Sequence, residues 1–197
     1  MRNLNCLTLA LFCSLSIQTA SAAESSLKSP YAGQEGREIK TLSPADIDEL
    51  RLGKGWGLAK AAELNGLPGP AHLLEMADEI GLTPSQRDDL ETLYEKMKEE
   101  AVPLGLELIE RERVLNRAFA EGTVDEEGLR ALVASCAQTR SDLRYVHLST
   151  HLKARPLLTE AQVALYNRLR GYSEEASSGE VPAGHDPVMW RRHNSGR

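Results

Sequence analysis

The phrase LTPSQ at Leu82–Gln86 returns as LTEAQ at Leu158–Gln162. In each copy the threonine can accept a hydrogen bond from the amide three residues on. The glutamine can reach back to the threonine's own amide, completing a capping box. The phrase is therefore a helix start, written twice, and Pro84 strengthens the first copy. After it, Leu90, Leu93, Met97, Ala101, Leu104, Leu108, Leu115 and Phe119 recur mainly at steps of three, four or seven. That stripe predicts a helix from Pro84 to about Ala120. At 1.5 Å per residue it is about 55 Å long, too long for a compact single-core bundle. Pro103 is expected to kink it.

Gly122 stops the first helix, and Thr123 or Asp125 can cap a second. Leu129, Leu132, Val133, Cys136, Leu143, Val146 and Thr150 give this helix its own stripe, and Pro156 ends it. So short a connection makes the two helices antiparallel neighbours, a hairpin over 84–155. The second phrase launches a third helix that Gly171 closes. Upstream, LSPADIDELRLG reads as a short helix capped by Ser43 and ended by Gly53. GWGLAKAAELNG and AHLLEMADEIG read as two more, ending at Asn65-Gly66 and Gly81. The expected fold is all-α: a long bent antiparallel hairpin with short flanking helices. It occupies 41–171, between a flexible N-terminal arm (23–40) and a disordered C-terminal tail (172–197) rich in Ser, Gly and Pro.

The first 22 residues carry one positive charge (Arg2), an apolar stretch and then Ala20-Ser21-Ala22, the order of a cleavable export signal. The apolar stretch is too short to span a bilayer comfortably. With no later apolar span, the chain is expected not to be an integral membrane protein. Cys136 is the one cysteine beyond the signal, which excludes a disulfide framework. Acidic residues number 29 against 23 basic, for a net charge of −6. Nucleic-acid affinity comes mostly from phosphate neutralisation, so this balance argues against a general nucleic-acid binder.

Two LTxxQ phrases around a helical hairpin, behind an export signal, resemble the periplasmic LTxxQ-motif family of Spy/CpxP-like chaperones and ZraP/CnrX-like metal-responsive relatives. The resemblance covers roughly Leu82–Gly171. It implies a periplasmic, all-helical hairpin that dimerises, serving as an ATP-independent chaperone, an envelope-stress adaptor or a metal sensor. The chaperone relatives hold clients in a basic cradle, whereas the first long helix here is acidic on balance.

Histidines are the chemically suggestive residues. His147 and His151 lie four apart, nearly on one helix face, so both imidazoles could grip one divalent transition metal such as zinc, nickel, cobalt or copper. His72 and Met76, in AHLLEM, form a second i, i+4 pair, and metal-sensing relatives combine ligands from an early helix and the returning hairpin helix. The competing reading is structural: His147 is turned only about 20° from Cys136 around an ideal helix, beside the apolar stripe. In the tail, HDPVMWRRH offers His185, Asp186, Met189 and His193 as metal donors, or Met189-Trp190 with Arg191-Arg192 as a docking motif.

No catalytic pattern accompanies these residues. LGKGWG lacks the strand, the spacing and the Ser or Thr of a phosphate loop. Cys136, in mid-stripe, reads as an inert core residue. Ser141-Asp142 belongs to no triad signature. The chain is expected not to be an enzyme but a periplasmic chaperone or adaptor that binds unfolded or envelope client proteins non-covalently, with dimerisation. Leu90, Leu93, Met97, Leu143 and Val146 are its candidate binding surface. The alternative is a heavy-metal sensor or buffer built on His147 and His151.

Overall fold

The computed structural model describes residues 28–172, so the segment read as an export signal and the tail patch HDPVMWRRH lie outside the described residues. The chain forms two compact units, Met1–Gly36 and Arg37–Arg197. The described part of the first unit, 28–36, consists of turns. The second is all-α in its described part. In order it contains α1 (Pro44–Arg51), α2 (Lys60–Glu63), α3 (Pro70–Glu75), α4 (Pro84–Ala120), α5 (Glu126–Ala154), a 3-10 turn (Arg155–Leu157) and α6 (Glu160–Leu169).

Both capping boxes form as the repeated phrase predicts. Thr83 accepts from the Gln86 amide while Gln86 caps the Thr83 amide, and Thr159 and Gln162 do the same. The two phrases also meet, side by side. Gln86 Nε2 donates to Leu157 O (2.8 Å), and Gln162 Nε2 donates to Gly81 O (3.1 Å). The two carboxamides face each other at 2.9 Å. Each glutamine thus caps its own helix and satisfies the carbonyl just before the other phrase. This reciprocal arrangement ties the start of α4 to the start of α6.

The hairpin of α4 and α5 is the frame, and α4 runs unbroken through Pro103, which faces solvent. Asp125 caps α5, and its side chain accepts from the Gly128 amide. α1 crosses α4 so closely that a Cβ built on Gly105 would stand 2.2 Å from Leu50 O. Only a glycine permits that approach. Two apolar clusters fill the space under the short helices. One joins Ile39, Leu42, Leu50 and Leu58 to Met97, Ala101, Leu108, Leu143 and Val146 at mid-hairpin. The other joins Leu73, Ile80 and Leu82 to Leu90, Ala154, Leu158, Val163 and Tyr166 at the hairpin's open end.

Three expectations change. The segment read as a flexible arm over 23–40 is docked at its end. Ile39 is fully buried, Lys40 N donates to Asn116 Oδ1 (3.2 Å), and Asn116 Nδ2 returns a bond to Glu38 O (3.1 Å). One apolar residue in a polar stretch carries no periodicity, so only packing reveals it. Next, α2 and α3 are shorter than their segments suggested, and their flanks are turns that wrap the hairpin. Lastly, the candidate binding surface is core: Leu90, Met97, Leu143 and Val146 are buried and Leu93 is half-buried, because the short helices lie over that stripe.

Candidate functional site

On α5 the first apolar cluster ends at Val146 and the second begins at Ala154. Between them stand His147, Thr150 and His151, all buried. The polar interruption is matched across the fold, where the chain between Leu58 and Leu73 belongs to neither cluster. At this seam lies a cavity of about 560 Å³, lined among others by Trp56, Glu63, His72, Met97, His147 and His151.

His151 is engaged through one ring nitrogen. Its Nδ1 lies 2.7 Å from Leu67 O, so that nitrogen carries the proton, and its ring packs on Gly69, where a Cβ would stand 2.6 Å from Nε2. Glu63 Oε2 stands 4.0 Å from the same Nδ1. Glu63 is itself a hub: the Tyr166 hydroxyl donates to it, as does the Tyr172 hydroxyl at 3.2 Å, and Arg170 approaches to 3.6 Å. Burial, and then the hydrogen bond to Glu63, push the Tyr166 phenol well above its ordinary range. Tyr166 therefore stays a donor at any physiological pH.

His147 differs from its neighbour. Its Nε2 is buried with no hydrogen-bond partner. Burial first, and the nearby His151 second, lower its pKa from 6.5 to about 4. A buried imidazole without a counter-charge avoids protonation because the cation would lose its hydration. Thr150, one turn along, bonds to Val146 O at 2.8 Å and offers His147 nothing.

The structure brings His72, His147 and His151 to one cavity, but not Met76. α3 ends at Glu75, and Met76 caps it with φ −110°, so its side chain packs against the second apolar cluster. His72 is held at the rim by Glu75, 2.9 Å from Nδ1. Among the described residues, no group of three or more His, Cys, Asp or Glu side chains is placed to hold a metal ion. His151 and His72 each engage Nδ1, with Leu67 O and Glu75 respectively, and among the described residues His147 Nε2 is the imidazole nitrogen that is both buried and without a hydrogen-bond partner.

Sequence reasoning passed over the glycine-rich turn that forms one wall. Trp56 there has φ 44°, and its Nε1 donates to Asp46 Oδ1 at 2.8 Å. The Arg140 guanidinium stacks on its ring, 4.6 Å from the centroid. Asp46 also caps α1 through Ser43; that bond first, and the Trp56 bond second, lower its carboxyl pKa. Glu63, Arg170 and Tyr172 were missed as well. Nothing in AELNG or NRLRGY marks a site, since the hub exists only where α2 meets α6.

Fold and site together define an all-α hairpin protein with a buried-histidine cavity under its short helices. Compared with protein-family models, curated proteins and solved structures, the chain matches none of them.

Proposed function

We propose that this is an exported binding protein of the LTxxQ type, a periplasmic stress-related chaperone or adaptor that engages client proteins without covalent chemistry or ATP. The observation that carries the reading is the outer part of the hairpin. From Glu110 to Ser135 no residue is buried. The covering segment reaches α4 only as far as Asn116. Val114, Phe119 and Val133 are 40%, 57% and 49% exposed, and among the described residues of this unit no further helix covers them. A two-helix arm cannot bury both faces of its helices, which leaves apolar surface for a client or a second copy of the chain. Among the described residues no helix is long and apolar enough to cross a membrane, so the arm is not a membrane span.

The test is suppression of aggregation of a chemically unfolded client by the purified protein, without metal or ATP. The native chain should protect, and Val114→Ser/Phe119→Ser/Val133→Ser should lose most of that protection while staying folded. Equal protection by the two would sink the reading.

A second reading, a divalent-metal sensor or buffer, draws on His147 and His151 standing one turn apart in one cavity. Among the described residues no third His, Cys, Asp or Glu is placed with this pair, so the reading draws on these two imidazoles. Calorimetric titration with zinc, nickel, cobalt and copper, against His147→Ala/His151→Ala, decides it. Stoichiometric binding that the double substitution abolishes is the result this reading needs.

A further inference from the structure

Two features of the cavity are unused by client binding at the hairpin tip. The first is His147 Nε2. It is sealed from solvent, so water does not relieve it, and no protein group bonds to it. Leaving a buried polar group unpaired costs about 1–3 kcal/mol. The second is Trp56, the only non-glycine residue with positive φ among the described residues. That backbone conformation costs an L-residue roughly 1–2 kcal/mol. Asp46 and Arg140 hold the indole there. Arg140 precedes His147 by two turns of α5, so both project from nearly the same face of that helix. Backbone strain and unsatisfied polar groups concentrate where a ligand is clamped.

We propose that this cavity binds a neutral, mainly apolar small molecule bearing a hydroxyl group, with His147 Nε2 as the hydroxyl's partner and the Trp56 turn as the wall that yields to admit it. The volume, about 560 Å³, suits such a molecule, since small-ligand sites run roughly 300–1,000 Å³. Tyr94, Met97, Leu64 and Pro70 supply an apolar lining for its body. A hydroxyl is the group that fits because it both gives and takes a hydrogen bond, and so satisfies either tautomer of a neutral imidazole. Charge is not selected. His147, its pKa lowered by burial, brings no positive charge to attract an anion. Glu63, the buried carboxylate, is already occupied by Tyr166, Tyr172 and Arg170 and offers nothing to a cation. Lys54, Lys60 and Arg170 stand against Glu49, Glu63 and Glu75 in the lining, so neither sign prevails. Arg170 Nε is also buried without a hydrogen-bond partner, but its charge is offset by Glu63 at 3.6 Å.

The experiment is calorimetry of the full chain with 2-naphthol and with 2-methylnaphthalene, which has the same shape without the hydroxyl. Saturable one-to-one binding of 2-naphthol is expected. In His147→Phe the ratio of the two affinities should shift against 2-naphthol by about tenfold or more. Met97→Trp, which fills the cavity from α4, should bind neither probe. Circular dichroism checks that each variant is folded. Independently of any variant, the imidazole 15N resonances of His147 should move with 2-naphthol and not with 2-methylnaphthalene. No saturable binding of 2-naphthol up to about 1 mM, an unchanged affinity ratio, or a silent His147 resonance each overturns the proposal.

Discussion

The inner and outer halves of the hairpin are made of the same two helices and behave as different materials. In the inner half, α1, α3 and α6 lie over α4 and α5, and Leu90, Leu108 and Leu143 are each at most 1% exposed. In the outer half the stripes run on through Leu115, Leu129 and Leu132, which are only half-buried, while Phe119 and Val133, and Val114 beside the stripe, are exposed. Both halves carry an apolar stripe. What differs is whether a third element arrives to cover it. An amphipathic pattern thus states which face is apolar, and only the rest of the chain determines whether that face is core or contact surface.

The sharpest way to break the inner half is Gly105→Ala. Its Cβ would meet the Leu50 carbonyl at 2.2 Å, and backbone cannot step aside as a flexible side chain can. A loss of about 3 kcal/mol or more is expected, read by urea unfolding. Leu143→Ala should cost about 2–5 kcal/mol, toward the lower end if the neighbouring cavity lets the site collapse. Phe119→Ala on the outer half should change stability by less than about 0.5 kcal/mol. Similar losses at Leu143 and Phe119 would erase the distinction between the halves.

Acid should act on the inner half first. Because the folded-state pKa of His147 is depressed to about 4 from 6.5, the unfolded chain binds a proton there that the folded chain refuses. Its stabilising contribution is complete above pH 6.5, falls as pH drops from 6.5 toward 4, and changes no further below that. His147→Phe should flatten that part of a stability–pH profile measured by thermal melting. An equal slope in the variant would remove His147 as its source.

The glutamine pair offers a smaller and more selective effect. Gln86→Ala removes one capping side chain and the bond to Leu157 O, and should cost about 1–2 kcal/mol. Because Gln86 and Gln162 face each other at 2.9 Å, the double substitution should cost less than the two singles together. A coupling of about 0.5–1 kcal/mol is expected from a double-mutant cycle. Strict additivity would mean that the phrases merely start two helices and do not hold each other.

How much of this was readable follows from what each feature depends on. The bounds of α4 and both capping boxes depend on residues within four positions of one another, so LTPSQ, LTEAQ and the Gly122 stop were enough to place them, while the choice of Asp125 over Thr123 as the α5 cap came from the structure. His147 and His151 were found for the same reason, as an i, i+4 pair. Their states were not readable. His151 is engaged because Leu67 and Gly69 arrive from the α2–α3 connection, whereas no partner arrives for His147. AHLLEMADEIG reads as helix up to Gly81, yet α3 ends at Glu75, and Met76 packs against the second apolar cluster instead of lining the cavity with His72.

The sequence by itself determined the helices, their order, the antiparallel hairpin and the repeated phrase, because caps, breaks and stripe periodicity are short-range physics. Only the tertiary structure decided that the two phrases would clasp, that Ile39 would be core, and that the Leu90–Leu143 stripe would be covered. It alone left His147 unpaired in a cavity that Trp56, with its positive φ, also lines, at a seam where two apolar clusters fail to join. Those outcomes depend on which surfaces, distant along the chain, compete to be buried against the same helix, and no local pattern encodes the winner.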